Sequence, residues 1–533
     1  MLPLLHAVLL AVQAQAVAPH TPLIENLGKL HHPISTSVPL AQRYFDQGLL
    51  LTYGFNHEEA INSFREAARL DSTCAICYWG VAFALGPNIN IPMDPSVTAR
   101  ALEAVRAARA RSSHASPLER AYIEAVAVRY SSDTARSRAA LDSAYAAAAG
   151  DLWRRFPTDD DAGALYADAL MNLAPWNYWQ ADGTARPGTQ TIVATLEQVL
   201  RRNPNHIGAC HFYIHAVEAS FEPQRALPCA ERLPGLAPGA GHLVHMPAHI
   251  YMRVGRYADA VTANEHAAHT DETFIERRHP TGPYSFYYAH NLHFLWAATQ
   301  MEGRSAESLR AARALAKSVP PELIRQVPPF EYLVSTPLLA LVQFGKWDDV
   351  LREPEPPEGL RYSRAIRHYA RGRAFAARKQ LDQAAAELDS VTTIRVAIKD
   401  ATLGFQTAGS LLGVAAHALR GEIAAQRSDT GVAVRELEEA VRLQDALIYD
   451  EPPAWYYPVR QSLGAVLLTA GRASDAEAVY REDLKRNPEN GWSLFGLAQA
   501  LRAQGKTTDA TGVDERFRRA WARADVVLTA SEF

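Results

Sequence analysis

Residues 41–72 read AQRYFDQGLLLTYGFNHEEAINSFREAARLDS. Small Gly48 lies where two helices must touch, Ala60, Phe64 and Ala67 follow on one face of the second helix, and Ser72 closes a unit of about 34 residues. The unit recurs outward along the chain. Clear later copies are YYPVRQSLGAVLLTAGRASDAEAVYREDLKRNP (456–488), with Gly464 and Ala476, and NGWSLFGLAQALRAQGKTTDATGVDERF (490–517), with Trp492 and Gly496. Between these ends the pattern persists with insertions, at Gly80 with Phe83, at Gly372 and at Gly421. One such hairpin cannot bury its apolar face alone, whereas stacked neighbours share a continuous core.

The unit resembles the tetratricopeptide repeat (TPR). That resemblance implies an all-α, TPR-type α-solenoid, a right-handed superhelix of about a dozen hairpins. The expected segments are a signal peptide (1–16), a lead-in (17–37), N-terminal hairpins (38–203), central histidine-rich hairpins (204–320), C-terminal repeats (321–513) and a capping helix (514–533). Residues 352–358 (REPEPPE) and 451–453 (EPP) read as loops between helices rather than as a domain boundary.

The central segment holds an unusual concentration of one residue type. Of the 19 histidines, seven fall in the first helical half of three successive units: His211, His215, His242, His245, His249, His290 and His293. Pro204 and Pro238 end units 34 residues apart, which lays His211 on His245 and His215 on His249. The third unit carries an insertion of 14 residues; anchored on the turns Gly255-Arg256 and Gly303-Arg304, it lays His290 on His242 and His293 on His245.

Register also predicts where these side chains point. The residues that close a hairpin occupy places four, seven, eight and eleven of its first helix, with Gly48, Gly80, Gly372, Gly421, Gly464 and Gly496 at place eight. The histidines fall at places two, five and nine, and Glu218 at place twelve, a stripe roughly 130° round from the packing face. In TPR proteins, as the resemblance implies, that stripe lines the concave groove where ligands bind.

Spacing supplies the chemistry. Histidines at i, i+3 and i, i+4 stand one turn apart and can share a ligand, and neighbouring helices pack at roughly 10 Å, so imidazoles of adjacent units can converge. Neutral imidazole suits copper, zinc, iron and nickel. The seven histidines are therefore candidate ligands for one or two transition metals, with copper slightly ahead of zinc or iron because the donors are nearly all nitrogen. Glu218 completes HFYIHAVE and is a candidate ligand or general base beside a metal-bound water. The plainer alternative is that the histidines satisfy buried hydrogen bonds or line a peptide groove. His266, His269 and His279 lie outside the stripe and read as surface or loop residues, and Pro247 interrupts the helix bearing His249.

Further groove candidates follow from the same count. Cys74 and Cys77 fall at places two and five of the second hairpin, as a redox or soft-metal pair or simply a buried or disulfide-bonded one. Asp168, at place nine of the fourth hairpin, faces the His211/His215 pair or is a solvated groove carboxylate. Asn88 and Asn90 precede Pro92 in a loop, as functional residues or turn closers. Tyr456 and Arg460, in DEPPAWYYPVRQSLG, bind a peptide or organic ligand or seal one hairpin onto the next. Cys210 and Cys229 sit on the two helices of one repeat, where a bridge is conceivable.

Composition narrows the classes. A chain of 533 residues, 48% hydrophobic with net charge −4, has ample core, and no basic stripe points to nucleic acid. The N-terminus MLPLLHAVLLAVQAQAVAP resembles a secretory signal ending at Ala14-Gln15-Ala16, although it lacks a positive n-region; no other stretch is long enough to span a membrane. There is no Walker loop, GxSxG elbow, HExxH or dinucleotide fingerprint.

The segments LHHPISTSVPLAQRYFDQGLLLTYGFNHEEAINSFREAARLD, CAICYWGVAFALGPNIN, HMPAHIYMRVGRYADAVTAN and EPPAWYYPVRQSLGAVLLTAGR look like a group of bacterial exported TPR proteins. The likeness implies fold and export to the periplasm or outside, and no substrate. Two functions then stand: an exported metalloprotein, either an oxidase-like or hydrolytic enzyme or a metal carrier, and a non-catalytic scaffold binding a peptide or protein partner in its groove.

Overall fold

The repeat works because large side chains of second helices press on glycines of first helices. In the computed structural model, which describes residues 21–280 and 283–533, a Cβ placed on Gly48 would lie 2.7 Å from the Phe64 ring, and one on Gly80 would lie 2.5 Å from the same ring. Gly421 approaches Leu437 in the same way, whereas Gly372 meets Leu419 of the next first helix. Tyr480 is held between Gly464 and Gly496, where a Cβ would come within 2.3 and 2.2 Å of its ring. Place eight therefore requires glycine for close helix approach, as its recurrence predicts.

Local signals start many of the helices. Helices α1 (Pro39–Tyr53), α2 (His57–Leu70), α3 (Ala75–Ala84), α4 (Thr98–Ala110), α5 (Pro117–Ala127), α6 (Arg138–Arg155), α7 (Asp160–Met171), α8 (Thr189–Arg202) and α9 (Ile207–Val217) follow in order. Asn56 accepts from the Glu59 N–H, Ser116 and Glu119 form a capping box, and Asp159 accepts from the Ala162 N–H. Helix α1 packs on α2 and α3, and α7 packs on α8 and α9. The same relation joins helix Arg361–Ala377 to Leu381–Ile398 and Ala408–Gln426, and Arg460–Thr469 to Ala473–Arg486 and Gly491–Ala503. Packing on the next helix and the next but one is how stacked hairpins share a core. The chain is an all-α solenoid of TPR type. Among the described residues the strands Thr402–Leu403 and Gln406–Thr407 form one short antiparallel pair.

The described residues divide into two units, one of residues 21–250 with His266–Tyr288 and one of Tyr251–Glu265 with Ala289–Phe533. In the first unit α1 also packs on α9. This contact brings the end of α1 onto the stripe that register places in an open groove. As a result His211, His215, His242, His245 and His249 are each no more than 1% exposed. The groove lining expected of these positions is here a buried layer.

The C-terminus also departs from expectation. The capping helix expected over 514–533 ends early, because the last helix, Thr507–Ala520, stops before the β-branched run Val526-Val527 and the remaining residues are not helical. They instead find side-chain partners on the second unit, among them Arg373 and Gln499. The expected signal segment 1–16 lies outside the described residues. Among the described residues no helix is long and apolar enough to cross a membrane.

Candidate metal centre

Two short stretches bring the five histidines of the first unit together. Helix α9, capped by the His206 ring accepting from the Ala209 N–H (3.0 Å), presents His211 and His215 one turn apart. The next first helix is broken at Met246-Pro247 into α10 (Gly241–His245) and α11 (Pro247–Arg253), as a proline without an N–H requires. Helix α10 carries His242 and His245, and α11 carries His249.

Hydrogen bonds orient three of the rings. His211 Nδ1–H donates to the Tyr53 carbonyl (2.6 Å), His215 Nδ1–H to Glu218 Oε1 (2.7 Å) and His249 Nδ1–H to Glu218 Oε2 (2.5 Å). Burial is the first cause that pushes the pKa of each of these three imidazoles down to about 3, and for His215 it outweighs the opposing pull of Glu218. A neutral ring with its proton on Nδ1 offers the Nε2 lone pair. His211 Nε2 lies 3.1 Å from His242 Nε2, and His245 Nε2 lies 2.9 Å from His249 Nε2. His215 Nε2 is buried and makes no hydrogen bond among the described residues.

The donor atoms of His211, His215 and His242 lie within 4.8 Å of one another, as do those of His215, Glu218 and His249. Tetrahedral ligation at about 2.0–2.1 Å needs nitrogens about 3.3 Å apart, so the first set meets it with small side-chain rotations. The residues present fit a metal bound through nitrogen. Glu218, fully buried, spends both oxygens on Nδ1 protons and so positions His215 and His249. In the expected alternatives it is a ligand or a general base.

Aromatic rings close the cluster, and sequence reasoning passed over them. The Phe55 ring lies 4.5 Å from His211 and 5.5 Å from His242, and is stacked 6.2 Å from His215. Trp176 meets His215 edge-on at 4.9 Å, and Tyr287 lies 4.3 Å from His242. Phe55 and Trp176 both hold positive φ, 57° and 63°, a conformation that costs free energy in a bulky residue and turns each ring towards the histidines. Nothing in the sequence marks these positions, since the strain is visible only in the backbone.

The other candidates divide. Asn88 closes its loop, its Oδ1 accepting from the N–H groups of Asn90 and Ile91 (both 2.9 Å), while Asn90 Nδ2 donates to the Tyr287 hydroxyl (3.3 Å) and so reaches the ring on His242. Asp168 is buried rather than solvated. It accepts from Asn172 Nδ2 (3.0 Å), and its carboxyl is pushed up to about 6 by burial against the pull of Arg129. Cys74 and Cys77 are fully buried and joined in a disulfide at the start of α3, so they do not line a groove. Cys210 and Cys229 are buried thiols, in contact but unbridged.

In the second unit Tyr456 is buried, its hydroxyl 3.0 Å from that of Tyr369, and Arg460 forms a two-pronged pair with Asp445 (2.8 and 2.5 Å). Both seal hairpins together, the second of the two expected roles. His290 and His293 belong to that unit, where His293 stacks on Trp296 at 5.6 Å and burial pushes its pKa down to about 3. His266, His269 and His279 are exposed, as expected.

A second cluster was not foreseen. Asp161 accepts from His32 Nδ1 (2.7 Å), His206 Nε2 (3.2 Å) and the Tyr53 hydroxyl, beside a cavity of about 410 Å³ that Lys29, His31 and Asn205 help to line. It fastens the lead-in to α7 and α9. Tyr53 thereby joins the two clusters, with its hydroxyl on Asp161 and its carbonyl on His211.

No protein-family profile matches the chain, and no curated protein does. Among solved structures, human IFIT1 in a dimer with m7Gppp-AAAA aligns at 12% identity with a TM-score of 0.34, covering 91% of each chain. Yeast Tom70 aligns at 12% identity and 0.30, covering 91% of this chain and 92% of its own. Likeness at this level carries no argument about function.

Proposed function

We propose that the chain is an exported TPR-type metalloprotein whose buried histidine cluster binds one or two first-row transition ions. The observation that carries the reading is His215 Nε2, buried and without a hydrogen bond among the described residues, beside His211 and His242, with the Nδ1 protons of His211 and His215 already committed. A buried polar atom left without a partner is costly, and a metal ion is the group for which this donor set is suited. His211, His215 and His242 would hold one ion. His245 and His249 offer a nitrogen pair for a second, and His290 and His293 remain candidates on register alone. On the nearly all-nitrogen donor set we favour copper slightly over zinc or iron. A bound ion would supply Lewis acidity or electron transfer, as an oxidase-like or hydrolytic centre or as transported cargo.

Export is part of the proposal. The apolar N-terminus ending in Ala14-Gln15-Ala16 supports it, and so does the Cys74–Cys77 disulfide, which suits an oxidising compartment such as the periplasm or the exterior. The other reading, a scaffold for a peptide or protein, is compatible with the same fold.

The test is elemental analysis of chain purified without chelator or affinity histidines, beside the His211→Ala, His215→Ala double variant. Near-integral metal that disappears in a variant of unchanged helicity is the expected result. A chain that stays metal-free after exposure to copper, zinc and iron overturns the reading and leaves the scaffold.

A further inference from the structure

The cavity of about 410 Å³ lies where the lead-in residues 29–33 meet the N-terminal ends of α7 and α9. Its volume falls within the roughly 300–1,000 Å³ typical of small-molecule sites. Leu30, Leu118 and Ile207 give it an apolar side. The rest of the lining is polar, and its groups divide by what they can still bind.

Asp161 is already saturated. His32 Nδ1–H donates to its Oδ2 (2.7 Å), while the Tyr53 hydroxyl and His206 Nε2–H (3.2 Å) donate to Oδ1. His206 Nδ1 accepts from the Ala209 N–H, so neither of its nitrogens is left for a ligand. Asp161 therefore orients His32. Burial lowers the His32 pKa, but Asp161, Asp159 and Asp46 outweigh it and push the value up to about 9, so the ring is an imidazolium at neutral pH. Its second proton, on Nε2, has no acceptor among the described residues, although the residue is only 7% exposed. A charged N–H in that position calls for an acceptor.

Three other groups are open. Asn203 Oδ1 accepts from the Asn205 N–H (3.2 Å), which leaves Asn203 Nδ2 as a donor, and Lys29 Nζ has no partner among the described residues. Asp159 is the opposite case. Its Oδ1 accepts from the Tyr122 hydroxyl and the Ala162 N–H (both 2.9 Å), which leaves Oδ2 as an acceptor. Burial and then Asp161 push the Asp159 carboxyl up, the direction that a cation bound beside it would reverse.

One cavity thus offers unmet donors and an unmet acceptor close together. Donor atoms of His32, Asp159 and Asp161 lie within 4.8 Å of one another. A ligand that reaches both His32 and Asp159 must carry its anionic and cationic groups side by side, as the carboxylate and ammonium on a single carbon are. A metal ion at the same place would have to displace the His32 proton and share oxygens that Asp161 has committed.

We infer that this cavity binds a free α-amino acid with an aliphatic side chain. The carboxylate accepts from His32 Nε2, Lys29 and Asn203, and the ammonium donates to Asp159 Oδ2. The side chain lies against Leu30, Leu118 and Ile207. The inference does not depend on the metal reading of the histidine cluster.

The test is calorimetric titration of L-leucine into the full chain at neutral pH with EDTA present, beside 4-methylpentanoate, which lacks the amine, and 3-methylbutylamine, which lacks the carboxylate. Saturable binding of leucine is expected, with each analogue at least tenfold weaker. Asp159→Asn keeps an oxygen for the Ala162 N–H and removes the charge, and it is expected to weaken leucine binding at least tenfold at unchanged helicity. Lys29→Gln, at an exposed position, is expected to weaken it about threefold. Absence of leucine binding to the parent, equal binding of either analogue, or unchanged binding in Asp159→Asn overturns the inference. Should Asp159→Asn lose helicity, Lys29→Gln decides, and unchanged leucine binding there overturns the inference.

Discussion

Replacing Glu218 by Gln separates an orienting carboxylate from a ligand or a general base. Both Glu218 oxygens accept Nδ1 protons, at 2.7 Å from His215 and 2.5 Å from His249. Gln keeps the shape but offers one acceptor oxygen and one NH₂ donor. The ring facing the NH₂ must then accept on Nδ1 and carry its proton on Nε2, where it can no longer ligate. Loss of such an orienting partner costs about 10- to 100-fold in metal affinity, or about 1.4 to 2.7 kcal/mol. The metal-free chain suffers less, because removing a fully buried charge offsets much of the lost hydrogen bonding.

The assay is chelator competition on parent and Glu218→Gln chains, with copper(II) resonance spectra of both. The expected outcome is weaker binding, unchanged helicity and nitrogen coordination in both spectra. Unchanged affinity would refute the orienting role. A parent spectrum showing an oxygen donor that the variant lacks would make Glu218 a ligand.

Two further outcomes follow from packing and charge. Gly464→Ala should lower stability to chemical denaturation, because the fully buried Tyr480 ring is confined by Gly496 opposite, and overpacking of about 1–3 kcal/mol exceeds the roughly 1 kcal/mol helix gain of Ala over Gly; a more stable variant would contradict this packing. For His32, burial lowers the pKa, but the bonded Asp161, with Asp159 and Asp46, outweighs it and pushes the value up to about 9 from 6.5. The charged ring is favoured by folding, so its contribution, on the order of 3 kcal/mol, is complete below pH 6.5 and lost as pH rises through 9; melting curves across that window should flatten in His32→Gln, and equal slopes would refute the pairing.

The fold was readable because its constraint acts on residue identity. A helix that must approach within 2.2–2.7 Å of a ring, measured from a Cβ, admits glycine alone, so Gly48, Gly80, Gly464 and Gly496 declare the hairpin directly. The histidine register was readable for the same reason, being measured from those glycines. Burial of the stripe was not, because it depends on α1 meeting α9 and on two aromatic residues in strained backbone, all remote in sequence from the histidines. That the tail is not helical could not be read from its own residues, because its partners, from Ser305 to Gln499, lie outside the segment.

The buried histidine layer and the non-helical tail share one physical origin. In a solenoid of hairpins the place-five and place-nine side chains of the first helices face away from the packing face of their own repeat. Polar groups so placed must be met by solvent, by a ligand or by another part of the chain. In the first unit the residues are imidazoles, Tyr53 and Phe55 close over them, and among the described residues His215 Nε2 makes no hydrogen bond. In the second they include Arg373 and Glu422, and Glu532 supplies a carboxyl that the Arg373 guanidinium meets alongside that of Glu422. The residue type at the stripe therefore bears on what can meet it: neutral imidazoles suit the metal ion proposed above, whereas the Arg373 guanidinium meets carboxyls. Exchanging Arg373 for His should accordingly weaken tail protection in hydrogen exchange without creating a metal site, because no second imidazole stands at Glu422 or Gln461 to share the ion.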